Sequence, residues 1–201
     1  KLITIATKIS EYTVNISRNP SSDIETIEKI ESMLSIVGEL SEQDTIRSII
    51  RRGEDSKTEY KETLCLDVKK QTKEKYIQES IMKTIAAFLN TKGGDLLIGI
   101  SDNRGLTGLE DEIKKLFGNN KDKFLNSFKD LVKSNIGGNF YPYIEHKMVT
   151  IEGKSILWIQ CKASTEAVFI GEDFFVRTNP ATDRLTGRRL VKYIQNRFAE
   201  N

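Results

Sequence analysis

The sequence predicts an α+β domain, a mixed β-sheet with packed helices, preceded by an N-terminal helical segment. Three observations predict it. Residues 1–52 place their apolar side chains at helical spacing only. From Thr58 on, short strand-like runs and helical runs follow one another without a regular βαβ repeat. Toward the C-terminus two hairpin signals come in succession. Length and composition agree: 201 residues, 38% hydrophobic and 30% charged, can bury a core and carry no signature of disorder.

Taken in order, Ile5, Ile9, Tyr12 and Ile16 line one helix face. "NPSSDIE" then supplies a break at Pro20 and an N-cap at Ser22 or Asp23. Ile27, Ile30, Leu34 and Val37 make the next stripe, with Gly38 as its stop, and Ser41 caps a short third helix that Gly53 ends. "TEYKETLCLDV" reads as a strand, and "KYIQESIMKTIAAFLNT" as a helix facing inward through Ile77, Ile81, Ile85 and Phe88. "GDLLIGISD" is a nearly all-apolar strand, which predicts a central position covered on both faces. "KDKFLNSFKDLVKSNIG" is a helix with Phe124, Phe128, Leu131 and Val132 on one face. Hairpins turning at Glu152–Gly153 and at Gly171–Asp173 follow, and "GRRLVKYIQNRF" closes the chain as a helix. The division expected is a helical appendage over residues 1–45 and a main domain over 46–201. The appendage packs on that domain or serves as a linker or a homo-oligomer contact.

Net charge is +2, unevenly spread: residues 1–50 hold five basic and eight acidic side chains, the remainder 26 and 21. That mild basic excess permits a nucleic-acid partner without requiring one. No apolar run approaches the ~20 residues of a membrane helix, and no secretory signal opens the chain. Cys65 and Cys161 each lie in an apolar segment and read as buried free thiols. Together these point to a cytoplasmic protein. The chain begins at Lys1, and we read it as a piece of something longer. His146 is the single histidine, which excludes His-pair ribonuclease chemistry.

The densest charge lies in "GEDSKTEYK", residues 53–61, with Glu54, Asp55 and Glu59 among Lys57 and Lys61. A cluster of this kind is either a solvated turn or a site. Glu59 and Lys61 share a strand face, and Glu–x–Lys with another acid upstream suits metal-dependent phosphodiester cleavage. Carboxylates would hold a hard cation, Mg²⁺ or Mn²⁺, and Lys61 would stabilise charge on the phosphate. Asp102, at the end of "GDLLIGISD", joins Glu54 and Glu59 only if its strand runs antiparallel to the one bearing Glu59. Otherwise Asp102 is ordinary turn chemistry.

These residues carry a resemblance. "IIRRGED", then Glu–aromatic–Lys, then "IAAFLNTKGGDLLIGISDN", and later "FFVRTNPAT" with a closing helix, resemble the Schlafen AlbA_2 domain family over residues 46–198. The resemblance implies an RNA-cleaving site with a divalent metal at three acids, matched here by Glu54, Glu59 and Asp102. It equally implies a nucleic-acid-binding module attached to other domains, as many bacterial members are described. A role in bacterial antiphage defence is a further implication of the family. The chain departs from the family's pattern at Tyr60 (usually phenylalanine), at the added Asp55, and at Ala167, where proline is common.

Lys92, Arg104, Arg177, Arg184, Arg188 and Arg189 come from turns and element ends near that site and together would form a phosphate-contacting rim. Lys69, Lys70, Lys73 and Lys75 suggest a mobile arm. Gly93–Gly94 reads as a tight turn, or as a place of close backbone approach. Three functions stand open: a metal-dependent nuclease acting on structured RNA, a non-catalytic nucleic-acid-binding module (RNA favoured over DNA) that targets a fused partner, and a protein-interaction element. No phosphate-binding P-loop is present, so ATP hydrolysis is not supported.

Overall fold

A computed structural model describes residues 2–18 and 23–199. The chain divides into two units, Lys1–Ser48 and Ile49–Asn201. The first holds helix α1 (Leu2–Arg18) and most of α2 (Asp23–Arg52). The expected break at Asn19–Ser22, including the Ser22 cap, lies outside the described residues. Gly38 does not stop a helix: α2 runs through it without interruption. A glycine inside a helix costs roughly 1 kcal/mol, which the helix-forming residues on both sides offset. Ser41 is likewise interior, and its carbonyl accepts the Thr45 hydroxyl at 2.8 Å. Of the predicted stripe, Ile27 and Leu34 are exposed. No helix among the described residues is long and apolar enough to cross a membrane.

The second unit begins with β1 (Thr58–Lys61), a small hairpin of β2 (Leu66–Asp67) and β3 (Thr72–Lys73), and helix α3 (Lys75–Asn90). The expectation of one strand from Thr58 to Val68 fails for a specific reason. The amides of Leu64, Cys65 and Leu66 donate to the buried Glu112 carboxylate rather than to a neighbouring strand. Of the lysines expected on a mobile arm, Lys69, Lys70 and Lys73 sit on this hairpin, where Asp67 accepts the amides of Lys69 and Lys70, and Lys75 begins α3. After β4 (Gly94–Ile98) come α4 (Glu110–Phe117) and α5 (Lys121–Asn135), then a 3₁₀ turn (Gly138–Tyr143). The hairpin of β5 (Ile144–Ile151) and β6 (Lys154–Cys161) turns at Glu152–Gly153 as predicted. β7 (Phe169–Ile170), β8 (Asp173–Arg177) and β9 (Thr182–Leu185) form a second antiparallel sheet, and α6 (Gly187–Phe198) closes the chain. α4, the 3₁₀ turn and β9 are additions to the sequence reading.

The main sheet has the order β1-β4-β6-β5. β4 is internal, and Leu96, Leu97 and Ile98 are buried on successive positions, the two-sided burial its composition predicts. Its pairing with β1 is parallel, with Glu59 opposite Leu96 and Lys61 opposite Ile98. This corrects the antiparallel pairing on which the three-acid site depended. The physical cause is the crossover: α3 carries the chain back along the sheet, so β4 starts from the same end as β1.

The core lies between the main sheet and the helices. Ile81, Ile85 and Phe88 of α3 and Phe124, Phe128 and Val132 of α5 meet Leu96, Ile98, Leu157 and Ile159 of the sheet. Each such side chain contributes roughly 1.5–3 kcal/mol on burial. At the end of α3, Asn90 is fully buried, donating to the carbonyls of Val168 and Phe175 and accepting the Val168 amide. That side chain fastens α3 to the second sheet.

The paired glycines after α3 have both of the meanings their sequence allowed. Gly93 turns at φ +73°, and a Cβ there would stand 2.3 Å from the Cys161 carbonyl. At Gly94 a Cβ would stand 2.5 Å from the Phe88 ring and 2.6 Å from the Lys57 carbonyl. The close approach is thus to the protein's own backbone. Gly94→Ala should lower stability by about 1–3 kcal/mol through overpacking alone, since Gly94 is not at positive φ. Urea unfolding checks it, and an unchanged midpoint would show that β1 and α3 yield freely there.

Candidate nucleic-acid interface

The chain from Gly53 to Lys61 is a turn closed by its own acids. Gly53 turns at φ +86° at the end of α2. Asp55 accepts the Lys57 amide at 2.7 Å, and its backbone bridges to Thr58. Glu54 reaches forward to accept the Tyr60 amide at 2.8 Å. Tyr60 is buried in turn, its hydroxyl donating to the Ile49 carbonyl at 2.9 Å, and burial pushes its pKa up. Two of the three acids therefore hold backbone.

Glu59 does something else. One carboxylate oxygen pairs with Lys61 and the other with Arg177 at 2.9 Å. The Arg177 side chain is 1% exposed and its partner 14%. Its guanidinium also donates to Thr182 Oγ1 and to the carbonyls of Asp55 and Thr58, and it lies 5.0 Å from the centre of the Phe88 ring. The arginine thus locks β8 to the 53–61 turn, while its Nε is buried without a hydrogen-bond partner.

Asp102 is exposed in the turn after β4. Since Leu96 is opposite Glu59, Asp102 stands six residues farther along the chain, past the end of β4. Among the described residues, no group of three or more His, Cys, Asp or Glu side chains could hold a metal ion. Glu54 caps an amide, Glu59 is held between two cations, and the parallel pairing of β1 and β4 carries Asp102 past the end of β4.

The six basic candidates separate. Lys92 and Arg177 line one cavity of about 640 Å³, together with Ser56, Thr178, Tyr193 and Arg197. Among the described residues no carboxylate lines it. Arg104, at φ +66°, points back to the Arg51 carbonyl at 3.3 Å. Arg184 pairs with Asp173 at 2.6 Å, and Arg188 and Arg189 are exposed in the first turn of α6. Arg197 and Tyr193 were missed by sequence reasoning. Their i, i+4 spacing on an amphipathic helix was the available signal, obscured because a basic residue in a last helical turn is ordinary. Arg197 donates to the carbonyls of Thr91 and Ser164, and the Tyr193 hydroxyl donates to the Asn90 carbonyl at 2.9 Å.

The two thiols and the single histidine sit in apolar surroundings. Cys65 and Cys161 are free and buried; burial, helped by Glu112, pushes the Cys65 thiol up to about 12, and burial raises Cys161 as well. His146 packs against Phe128 and Tyr141, and burial lowers its pKa.

The α+β scaffold thus carries a cavity in which Lys92, Arg177 and Arg197 stand among hydroxyl and apolar groups. The chain belongs to the Schlafen, AlbA_2 family, whose model matches residues 54–186. Membership supports a nucleic-acid-binding domain. Among solved structures the chain is similar to the DIP2311 protein from Corynebacterium diphtheriae, at 16% identity and a TM-score of 0.53, over 80% of this chain and 32% of that one. The chain thus spans about a third of that protein's length, and the likeness speaks for the fold alone. No curated protein matches the chain.

Proposed function

We propose that this domain is a nucleic-acid-binding module that holds phosphates at its cationic cleft and does not cleave the strand. The observation that carries this reading is the cavity joining Lys92, Arg177 and Arg197, with no carboxylate among the described residues of its lining. Lys92 is exposed and has no ion-pair partner among the described residues. Arg197 spends only Nε and one Nη on protein carbonyls. Arg177, neutralised by Glu59, is the rigid floor rather than a free cation. A phosphodiester entering here exchanges its counterions for Lys92 and Arg197.

Arg188 and Arg189, exposed at the start of α6, and Arg184 on β9 extend positive charge outside the cavity. Changing all three to Ala should weaken binding and flatten its salt dependence, by up to about 0.7–0.9 in the log–log slope for each phosphate that is no longer neutralised. The experiment is fluorescence anisotropy with labelled RNA and with DNA of the same sequence, across a salt series. RNA is the partner implied by the family resemblance, and the two arms compare it directly with DNA. Absence of binding to both nucleic acids would overturn the reading. Wild-type affinity and slope in the triple variant would confine the interface to the cavity.

A further inference from the structure

The geometry points to the cavity as a seat for one nucleoside monophosphate unit, which an unpaired single strand presents. The inference deepens the nucleic-acid reading above and rests on it. The cavity is a half-open hollow rather than a flat basic rim, and its volume of about 640 Å³ falls within the ~300–1,000 Å³ of small-ligand sites. A duplex backbone rides over such a hollow, whereas an unstacked nucleotide can enter it.

The lining suits the three parts of a nucleotide. Lys92 and Arg197 supply positive charge for the phosphate, and the Ser56 hydroxyl supplies a polar group for a sugar, while Thr178 Oγ1 donates to Asp183 and can only accept. Tyr193 supplies an aromatic wall for a base. That ring is already fixed: its hydroxyl is bonded to the Asn90 carbonyl, and it packs against Phe174 at 5.7 Å between ring centres. A wall held this way loses no side-chain freedom when a base meets it. Base–aromatic contacts tolerate every base, so the seat selects single strands rather than sequence. A paired base would first have to be pulled from its stack, at a cost of a few kcal/mol.

The test compares a labelled single-stranded oligonucleotide with the same strand annealed to its complement, and uses uridine monophosphate as competitor, in wild type, Lys92→Glu and Tyr193→Leu. Lys92 is exposed, so its variant keeps the fold; circular dichroism checks Tyr193→Leu. Wild type should bind the single strand at least about tenfold more tightly than the duplex. Both variants should lose that preference, and uridine monophosphate should displace the strand from wild type. Equal affinity for the two forms, or a Lys92→Glu variant weakened equally toward both, would overturn the inference while leaving general nucleic-acid binding intact. Binding of uridine monophosphate that depends on Lys92, without any strand binding, would keep the seat and remove the nucleic-acid reading. Binding of none of these probes would overturn both.

Discussion

Glu112→Ala should unfold this domain more readily than any other single change, by about 3 kcal/mol or more. The carboxylate is 1% exposed and accepts the amides of Leu64, Cys65 and Leu66 at 2.7–3.0 Å. Removing it leaves three buried donors unsatisfied, each costing on the order of 1–3 kcal/mol, of which water entering the gap recovers a part. For a chain of this length that corresponds to a fall in Tm of about 6–12 °C. Glu112→Gln should cost less, because its one carbonyl oxygen keeps some of the amides but its NH₂ group faces the others. Scanning calorimetry of the three proteins checks the order. A Glu112→Ala variant as stable as wild type would mean that the 64–66 segment finds other acceptors.

The second large effect is expected at Arg177. Arg177→Met should cost roughly 3 kcal/mol, at the low end of what breaking a buried ion pair costs, because Glu59 keeps Lys61 as a partner. The guanidinium's bonds to the Asp55 and Thr58 carbonyls disappear as well, freeing β8 from the turn that precedes β1. Combining Arg177→Met with Glu59→Gln should recover part of the loss, since no buried charge is then left with a missing partner. Urea midpoints of the two single variants and the double variant form the cycle. Strict additivity would show that the pair is not coupled, and that Glu59 has a different task.

How much of this was legible follows from distance along the chain. The stripes of α3 and α5, the β5–β6 hairpin and α6 are local patterns, and the structure reproduces them. The direction of β4 is not local. It depends on a helix crossing over between two strands, and that single βαβ unit was hidden by the β2–β3 hairpin inserted before α3. Glu112 was not singled out, because the amides it serves lie 46–48 residues away. Glu59 was singled out within a local cluster of acids, and its Arg177 partner, 118 residues downstream, was not legible from that cluster. Of the basic candidates, Lys92 and Arg177 do share one cavity, joined by Arg197 from the closing helix, of which only the first-turn arginines had been singled out.

The most direct measurement of binding without cleavage is the state of the bound strand. End-labelled single-stranded RNA and DNA are incubated with saturating protein in Mg²⁺ and then in Mn²⁺, and each strand is recovered and sized on a denaturing gel. The account predicts that both strands are bound and come back intact, in wild type and in Glu59→Gln alike. Metal-dependent fragments from the wild-type protein that vanish in Glu59→Gln would contradict it, and would return Glu54, Glu59 and Asp102 to a catalytic role.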